Sequence, residues 1–134
     1  MEVAAGLIFR DGKLLITQRY AGAHLGGLWE FPGGKRESCE SFPACLKREL
    51  TEELGIEVAI GELVERISHQ YPEKRVVLEF YRCQWLCNEP QALGCPAFRW
   101  VTRAELGAYA FPEADAEIVA RLTKDVSLWG EKPT

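Results

Sequence analysis

Apolar residues lie along the chain in short extended runs that predict β-strands. The first two runs, Val3 to Phe9 and Leu14 to Thr17, flank Asp11-Gly12, a dipeptide that favours a two-residue hairpin turn. Leu28 to Phe31 is a shorter extended piece, and Pro32-Gly33-Gly34 is expected to stop it. Further strands are predicted at residues 56–68, 76–86 and 98–101, with a turn at 71–74.

A helix is predicted between the short third run and the long fourth one. Leu46, Leu50 and Leu54 repeat every four residues, so they form one apolar face of a helix. Ser41 suits the N-cap position, and Gly55 suits the position just after the last turn. The segment therefore has both an apolar face and recognisable ends.

A second helix is predicted from about Glu113 to Lys124. The tail after about Asp125 is expected to be loose, with docking of Trp129 as the alternative. The order of strands, helix, strands and helix predicts an α/β fold in which a mixed sheet lies between helices. The length suits a single domain that spans residues 1–134.

Composition and charge narrow the class of partner. Hydrophobic residues make up 47% of the chain and charged residues 27%, which is typical of a globular protein. The net charge of −4 argues against a stable nucleic-acid complex, but it is compatible with one nucleotide held through metal ions. No apolar run approaches the ~18–20 residues of a membrane span, and no signal peptide is visible. Five cysteines without a Cys-x-x-Cys pair favour reduced thiols and a cytoplasmic location.

Three glutamates in the first helix are spaced for a metal site. Glu49, Glu52 and Glu53 stand at i, i+3 and i+4, so their carboxylates share one helical face. Mg²⁺ prefers oxygen ligands and combines carboxylates with water and substrate phosphates. Arg48 precedes them and is positioned to orient a carboxylate through bidentate hydrogen bonds. Taken alone, the same residues also fit an ordinary solvated helix face.

The glycines before this helix favour a close approach of backbone and ligand. Without a Cβ, Gly33 and Gly34 let the chain come close to a metal or a phosphate group. A carbonyl that the turn leaves free is a further candidate metal ligand. The glycine turn and the glutamate helix therefore indicate a divalent-metal site for a polyphosphate.

The complete pattern resembles a known family. From Gly34 to Ile56 the chain reads Gly-x5-Glu-x7-Arg-Glu-(apolar)-x-Glu-Glu-x-Gly-(apolar), and every position matches the box of the Nudix hydrolases. The flanking sequence is similar to that of the MutT-like branch, and the resemblance covers roughly residues 2–124. The similar flanking segments are Ile16-Thr17-Gln18-Arg19, Ala23-His24, Trp29-Glu30-Phe31-Pro32-Gly33-Gly34 and Phe111-Pro112-Glu113-Ala114-Asp115.

The resemblance implies a fold, a reaction and a cofactor. The fold is an α/β/α sandwich with a mixed sheet. The reaction is cleavage of a nucleoside triphosphate to a monophosphate and pyrophosphate, by attack of water at the β-phosphorus with Mg²⁺ or Mn²⁺ bound. Glu40 would lie near the metals and order water, while Arg48 would orient the glutamates. The implied metal ligands are the Gly33 carbonyl, Glu49, Glu52 and Glu53.

The resemblance also implies substrate-binding residues. Arg19 would contact the phosphate or sugar, Phe31 and Tyr71 would line the nucleoside pocket, His24 would reach the nucleotide, and Gly34 would lie against it. Each side chain has a plain structural alternative. Arg19 and His24 would then be solvated surface groups, and the two aromatic rings would be ordinary core residues.

Asp115 stands where relatives place a polar residue against the edge of the base. As a carboxylate it accepts hydrogen bonds, which suits the N–H groups of guanine or the amino group of cytosine. In the protonated form it also donates one, which suits a carbonyl such as guanine O6. The alternative is that Asp115 caps the last helix.

One position departs from the family pattern. Relatives often carry a glutamate six residues before the tryptophan that matches Trp100, and this chain has Gly94 there. Glu89 in the same loop and Glu79 on the preceding strand are the candidate substitutes. The identity of the general base is therefore open.

The leading interpretation is an enzyme that hydrolyses nucleoside triphosphates. Oxidised guanine nucleotides such as 8-oxo-dGTP, and CTP-like pyrimidine nucleotides, are both expected substrates. One alternative is a Nudix hydrolase of dinucleoside polyphosphates or nucleotide sugars, and another is a Nudix-fold ligand sensor without activity. The protein is expected to act as a monomer or a homodimer on free nucleotides.

Overall fold

The structure is a computed structural model that describes residues 1–130. It contains seven strands, two α-helices and three short 3₁₀ turns. The strands are β1 (Glu2–Arg10), β2 (Lys13–Gln18), β3 (Trp29–Glu30), β4 (Gly33–Lys35), β5 (Glu57–Gln70), β6 (Arg75–Cys87) and β7 (Phe98–Val101). The helices are α1 (Phe42–Leu54) and α2 (Ala116–Lys124), and the 3₁₀ turns are Leu106–Ala108, Glu113–Asp115 and Val126–Trp129.

The seven strands form one mixed sheet. Its main path runs β3-β2-β1-β6-β5, while β4 pairs with β1 and β7 pairs with β2. The β1–β6 pair is parallel, with Ala5 opposite Phe80, and the other pairs are antiparallel. The mixed sheet predicted from the order of elements is therefore confirmed.

Each face of the sheet has its own hydrophobic core. The leucines of α1 pack with Ala4 and Ile8 of β1 on one face. On the other face, Ile118 and Leu122 of α2 pack with Leu7. Since successive side chains of a strand point to opposite faces, a strand covered on both faces must be almost continuously apolar. This explains why β1 reads as an apolar run and not as an alternating pattern.

Both predicted ends of α1 are confirmed. The Ser41 side chain accepts a hydrogen bond from the Ala44 N–H at 3.1 Å. Gly55 follows the last turn with φ +70°, a left-handed conformation that favours glycine. The backbone N–H groups of Leu93 and Gly94 donate to the Glu53 carbonyl at 3.1 and 3.0 Å. The loop after β6 therefore holds the end of the helix that carries the glutamates.

The glycine segment differs from the sequence expectation. Gly33–Lys35 is not a stop but the strand β4, which pairs antiparallel with β1. Gly33 has φ +154°, and a Cβ there would lie 2.0 Å from the Ala4 carbonyl oxygen. Tight pairing against β1 thus requires glycine at this position.

The tail also differs from the expectation of a loose segment. Val126–Trp129 forms a 3₁₀ turn, and the Trp129 ring packs edge-on against Phe9 at 5.3 Å. The Trp129 indole N–H donates to the Leu122 carbonyl at 2.9 Å. The alternative of a docked tryptophan is therefore the one observed, and residues 131–134 lie outside the described part. Across residues 1–130, the helices are all too short or too polar to cross a membrane.

Candidate metal and nucleotide site

The glycines of β4 lie directly against two glutamates of α1. A Cβ on Gly34 would lie 2.3 Å from the Glu49 carboxyl carbon, so that carboxylate occupies the space of a missing side chain. The Gly33 N–H donates to Glu53 Oε1 at 3.3 Å. The glycine turn and the glutamate helix, which the sequence proposed as two halves of one site, are therefore in contact.

Arg48 connects the glutamates to one another. Its guanidinium donates to Glu40 Oε1 at 2.7 Å, to Glu49 Oε2 at 3.0 Å and to Glu52 Oε1 at 3.4 Å. The hydrogen bond from Arg48 lowers the pKa of Glu40 to about 2, and a backbone hydrogen bond from Glu37 adds to this effect. The contacts fit the orienting role predicted for Arg48, and they keep Glu40 charged.

Glu53 lies in a different environment from Glu40. Burial, reinforced by repulsion from Glu30, raises the pKa of Glu53 to about 8. Burial likewise raises the pKa of Glu49, and the hydrogen bond from Arg48 partly offsets it. A cation beside these groups would reverse that preference, because it stabilises the carboxylate form.

The donor set fits a hard divalent cation, although the carboxylates are not drawn together into a ready cage. Within residues 1–130, no group of three His, Cys, Asp or Glu side chains is close enough to form one. Carboxylate oxygens beside a glycine backbone are nevertheless the ligand type that Mg²⁺ prefers.

A cavity of about 310 Å³ opens beside β4 and contains most of the predicted substrate residues. Five of the six line it, namely Arg19, His24, Phe31, Gly34 and Asp115. Phe31 is buried and stacks on Phe111 with 5.1 Å between the ring centroids. The cavity therefore combines an aromatic wall with charged groups, next to the glutamate helix.

Tyr71 is the predicted pocket residue that does not line this cavity. Its ring is buried, and its hydroxyl accepts a hydrogen bond from the Ala114 N–H at 3.1 Å. The ring packs edge-on against His24 at 5.5 Å. Tyr71 thus lies behind the pocket and contacts two segments that form its wall.

Asp115 is 5% exposed and faces the cavity from the start of α2. Burial, with added repulsion from Glu30, raises its pKa to about 7. The backbone of Asp115 occupies the N-cap position of α2, but its side chain makes no capping hydrogen bond. The geometry therefore favours a pocket role over the capping alternative.

Glu30 is a member of this site that sequence reasoning missed. Its Oε1 accepts a hydrogen bond from Arg19 Nη1 at 2.7 Å, and both residues line the cavity. Burial raises the pKa of Glu30, and Arg19 partly offsets the shift. The available signal was a single charge between Trp29 and Phe31 in an otherwise apolar strand.

Arg19 is more fully engaged than the sequence indicated. Besides Glu30, its Nε donates to the His24 carbonyl at 2.6 Å. Arg19 therefore holds the loop at residues 20–27 against the short strand β3. Arg19 also lines the cavity.

The two candidate substitutes for a glutamate at position 94 lie elsewhere. Glu89 forms an ion pair with Arg10 at 2.8 Å. Glu79 pairs with Arg66 and accepts a hydrogen bond from the Tyr81 hydroxyl at 2.5 Å. Each carboxylate is therefore paired with an arginine that makes no hydrogen bond to the α1 glutamates within residues 1–130.

A larger cleft of about 920 Å³ lies near the β1–β2 turn. It is lined by Arg10, Asp11, Arg82 and Trp85 among others, and none of the α1 glutamates reaches it. The larger cleft therefore does not contain the predicted metal ligands. The smaller cavity, beside the glutamates and the glycine strand, is the candidate site.

Known proteins with similar sequences show the family of this chain. The NUDIX domain family matches residues 4–121 of the chain. A protein of Haemophilus influenzae named 8-oxo-dGTP diphosphatase is 37% identical over 126 residues, which cover 93% of each chain. A CTP pyrophosphohydrolase of Escherichia coli K12 is 40% identical over 118 residues, which cover 88% of this chain and 86% of the relative.

Solved structures resemble this one along most of their length. The solution structure of the E. coli ORF135 protein matches with a TM-score of 0.76 and 35% identity, covering 99% of this chain and 93% of the other. The crystal structure of a MutT protein from Methanosarcina mazei matches with a TM-score of 0.83, covering 93% and 94%. At 22% identity the second likeness concerns the fold alone. The predicted α/β fold is confirmed.

Proposed function

This chain belongs to the MutT-like branch of the Nudix hydrolases and is a pyrophosphohydrolase, and we propose that it cleaves nucleoside triphosphates to monophosphates and pyrophosphate. The proposed substrates are oxidised guanine nucleotides such as 8-oxo-dGTP or CTP-like pyrimidine nucleotides, on which relatives are named to act. The proposed setting is a single domain in the cytoplasm that acts on free nucleotides.

One observation carries the proposal. The carboxylates of Glu49 and Glu53 lie against the backbone of Gly34 and Gly33, beside a cavity with an aromatic wall and the buried Asp115. A nucleotide presents phosphates at one end and a flat base at the other. The carboxylate oxygens suit metal-bound phosphates, and the aromatic wall and Asp115 suit the base.

Mg²⁺ or Mn²⁺ is the proposed cofactor at the phosphate end. The proposed ligands are Glu49, Glu52, Glu53 and the Gly33 carbonyl. When bound, such an ion neutralises phosphate charge and lowers the pKa of a water. Arg48 holds Glu49 and Glu52 by hydrogen bonds and keeps Glu40 charged beside them.

The base end is proposed to select the substrate. Phe31, which lines the cavity, is the proposed aromatic contact to the base, and base–aromatic stacking contributes about 1–3 kcal/mol per base. Asp115 is buried and, with its raised pKa, is available as a donor or an acceptor near neutral pH. Among the described residues, His24 Nε2 is one of two buried polar side-chain atoms without a hydrogen-bond partner. That nitrogen is a candidate contact to the nucleotide.

A product-resolved activity screen tests the proposal. Standard and oxidised triphosphates, dinucleoside polyphosphates and nucleotide sugars would each be incubated with Mg²⁺, with Mn²⁺ and with EDTA. We expect a triphosphate to give a monophosphate and pyrophosphate, and EDTA to stop turnover. Undiminished turnover in metal-free buffer would contradict the metal site, and release of inorganic phosphate alone would contradict the reaction.

A further inference from the structure

The hydroxyl of Tyr71 caps a turn 43 positions away in the chain. It accepts a hydrogen bond from the Ala114 N–H at 3.1 Å, and both residues are buried. Ala114 is the middle residue of the 3₁₀ turn Glu113–Asp115. The first N–H groups of a helical turn have no partner within that turn, so an outside acceptor must satisfy them.

The turn itself supplies no such acceptor. Its N-cap residue is Pro112, and no side-chain capping bond is found there. A buried N–H without a partner costs about 1–3 kcal/mol. The Tyr71 hydroxyl therefore stabilises this particular placement of the turn, which carries Asp115 into the cavity.

Tyr71 also contacts the other wall of the pocket. Its ring meets His24 edge-on at 5.5 Å and His69 at 4.5 Å. His24 belongs to the loop at residues 20–27, and like Asp115 it lines the cavity. Burial and the nearby charges of Asp115 and Glu113 raise the pKa of Tyr71, so its hydroxyl stays protonated at neutral pH.

We propose that Tyr71 is a positioning residue for base discrimination. Its hydroxyl binds the Ala114 amide, and this hydrogen bond fixes the position of Asp115 relative to the other lining residues His24 and Phe31. The inference rests on the proposed nucleotide function but goes beyond it, because Tyr71 acts through Asp115 and does not line the cavity. Losing the hydroxyl leaves the ring in place and frees the turn. The enzyme should then discriminate less between substrates whose bases contact Asp115.

Tyr71→Phe tests this role because it removes only the hydroxyl. Tyr109→Phe is the matched control, since Tyr109 packs on Trp29 at 5.1 Å outside the cavity lining. The readouts are kcat and KM for 8-oxo-dGTP, dGTP and CTP, a melting curve, and hydrogen exchange at the Ala114 amide. We expect KM for the best substrate to rise and the ratio of kcat/KM between bases to fall by roughly three- to tenfold, as befits one hydrogen bond.

The outcomes separate the two proposals. In Tyr71→Phe we expect kcat to stay near wild type and the Ala114 amide to exchange faster, while Tyr109→Phe keeps the wild-type ratio. A lowered melting point with an unchanged base ratio would make Tyr71 purely structural and overturn the inference alone. Failure of the wild-type protein to hydrolyse any triphosphate would overturn the proposed function, and the inference with it.

Discussion

Glu40 and Asp115, at the two ends of the candidate site, are held in opposite electrostatic states. At the phosphate end, the hydrogen bond from Arg48 lowers the pKa of Glu40 to about 2. At the base end, burial raises the pKa of Asp115 to about 7. A guanidinium keeps Glu40 charged beside the proposed metal ligands, whereas burial brings Asp115 near neutrality at the proposed base end.

Glu53 stands between these two regions. It belongs to the glutamate set of α1, yet burial and Glu30 raise its pKa to about 8. Glu30 repels both Glu53 and Asp115, so it couples the two ends of the site. Substitutions at each end should therefore affect different quantities, namely turnover at one end and selectivity at the other.

The largest expected effect is the loss of turnover in Glu53→Gln, which changes a proposed metal ligand at the phosphate end. The substitution removes a ligand charge and keeps the shape, so kcat should fall on the order of 10²-fold or more. The melting point in EDTA should hold or rise, because glutamine is neutral and needs no proton uptake on folding, whereas burial gives Glu53 a raised pKa. Glu117→Gln, an exposed change on α2, is the control. Wild-type kcat in Glu53→Gln would refute a ligand role.

A smaller effect is expected for Arg48→Lys, which keeps the charge but loses the planar fork that joins Glu40, Glu49 and Glu52. We expect kcat to fall about tenfold or more and the Mg²⁺ concentration for half-maximal rate to rise similarly. Arg121→Lys, whose guanidinium pairs with Glu65 away from the site, should leave both values unchanged. An unaltered Mg²⁺ dependence in Arg48→Lys would show that the fork is dispensable.

Asp115→Ala tests the proposed base end of the site. Because a site that hydrogen-bonds its substrate loses selectivity when that group is removed, the kcat/KM ratio between a guanine and a pyrimidine triphosphate should change about tenfold or more. Dependence on Mg²⁺ and the pyrophosphate product should persist. If Asp115 acted only as a helix cap, the variant would lose about 1 kcal/mol of stability and keep its substrate ranking. Kinetics beside a melting curve decide between these results.

The smallest expected effect is a pH dependence of stability. Between the ordinary value of 3.8 and the folded value of about 7, folded Asp115 holds a proton that the unfolded chain has lost. The contribution of Asp115 to the free energy of unfolding therefore falls as pH rises across this interval. Asp115→Asn lacks this titration, so in metal-free buffer its melting point relative to wild type should rise from the lower to the upper pH.

Parallel melting profiles of wild type and Asp115→Asn would contradict the buried, proton-binding state of Asp115. Groups that do not interact with Asp115 titrate alike in both proteins, so their effects cancel in the difference, and Glu30, which repels Asp115, is the neighbour whose titration also changes. Adding Mg²⁺ should leave the sign of the difference unchanged, because the proposed ligands lie on α1 and β4.

The helix that carries the candidate metal ligands could be predicted from sequence because its geometry is local. The helical period of 3.6 residues decides which side chains share a face, so the spacing of Glu49, Glu52 and Glu53 is already a spatial statement. Ser41 and Gly55 mark the ends of α1 for similarly local reasons, through side-chain capping and a left-handed conformation. The family box, read from these positions, indicated the fold and the reaction together.

The nucleotide half depends on contacts between residues that are distant along the chain. Sequence could name Asp115, Phe31 and Arg19 only by resemblance, and it missed Glu30, because strand register decides which side chains are buried together. The strand β4 and the docked Trp129 likewise arise from pairing with β1 and from packing on Phe9. Local spacing thus determined the glutamate helix, whereas only the tertiary structure decided how Tyr71, Ala114 and Asp115 meet, since burial and hydrogen bonding across the fold are collective properties.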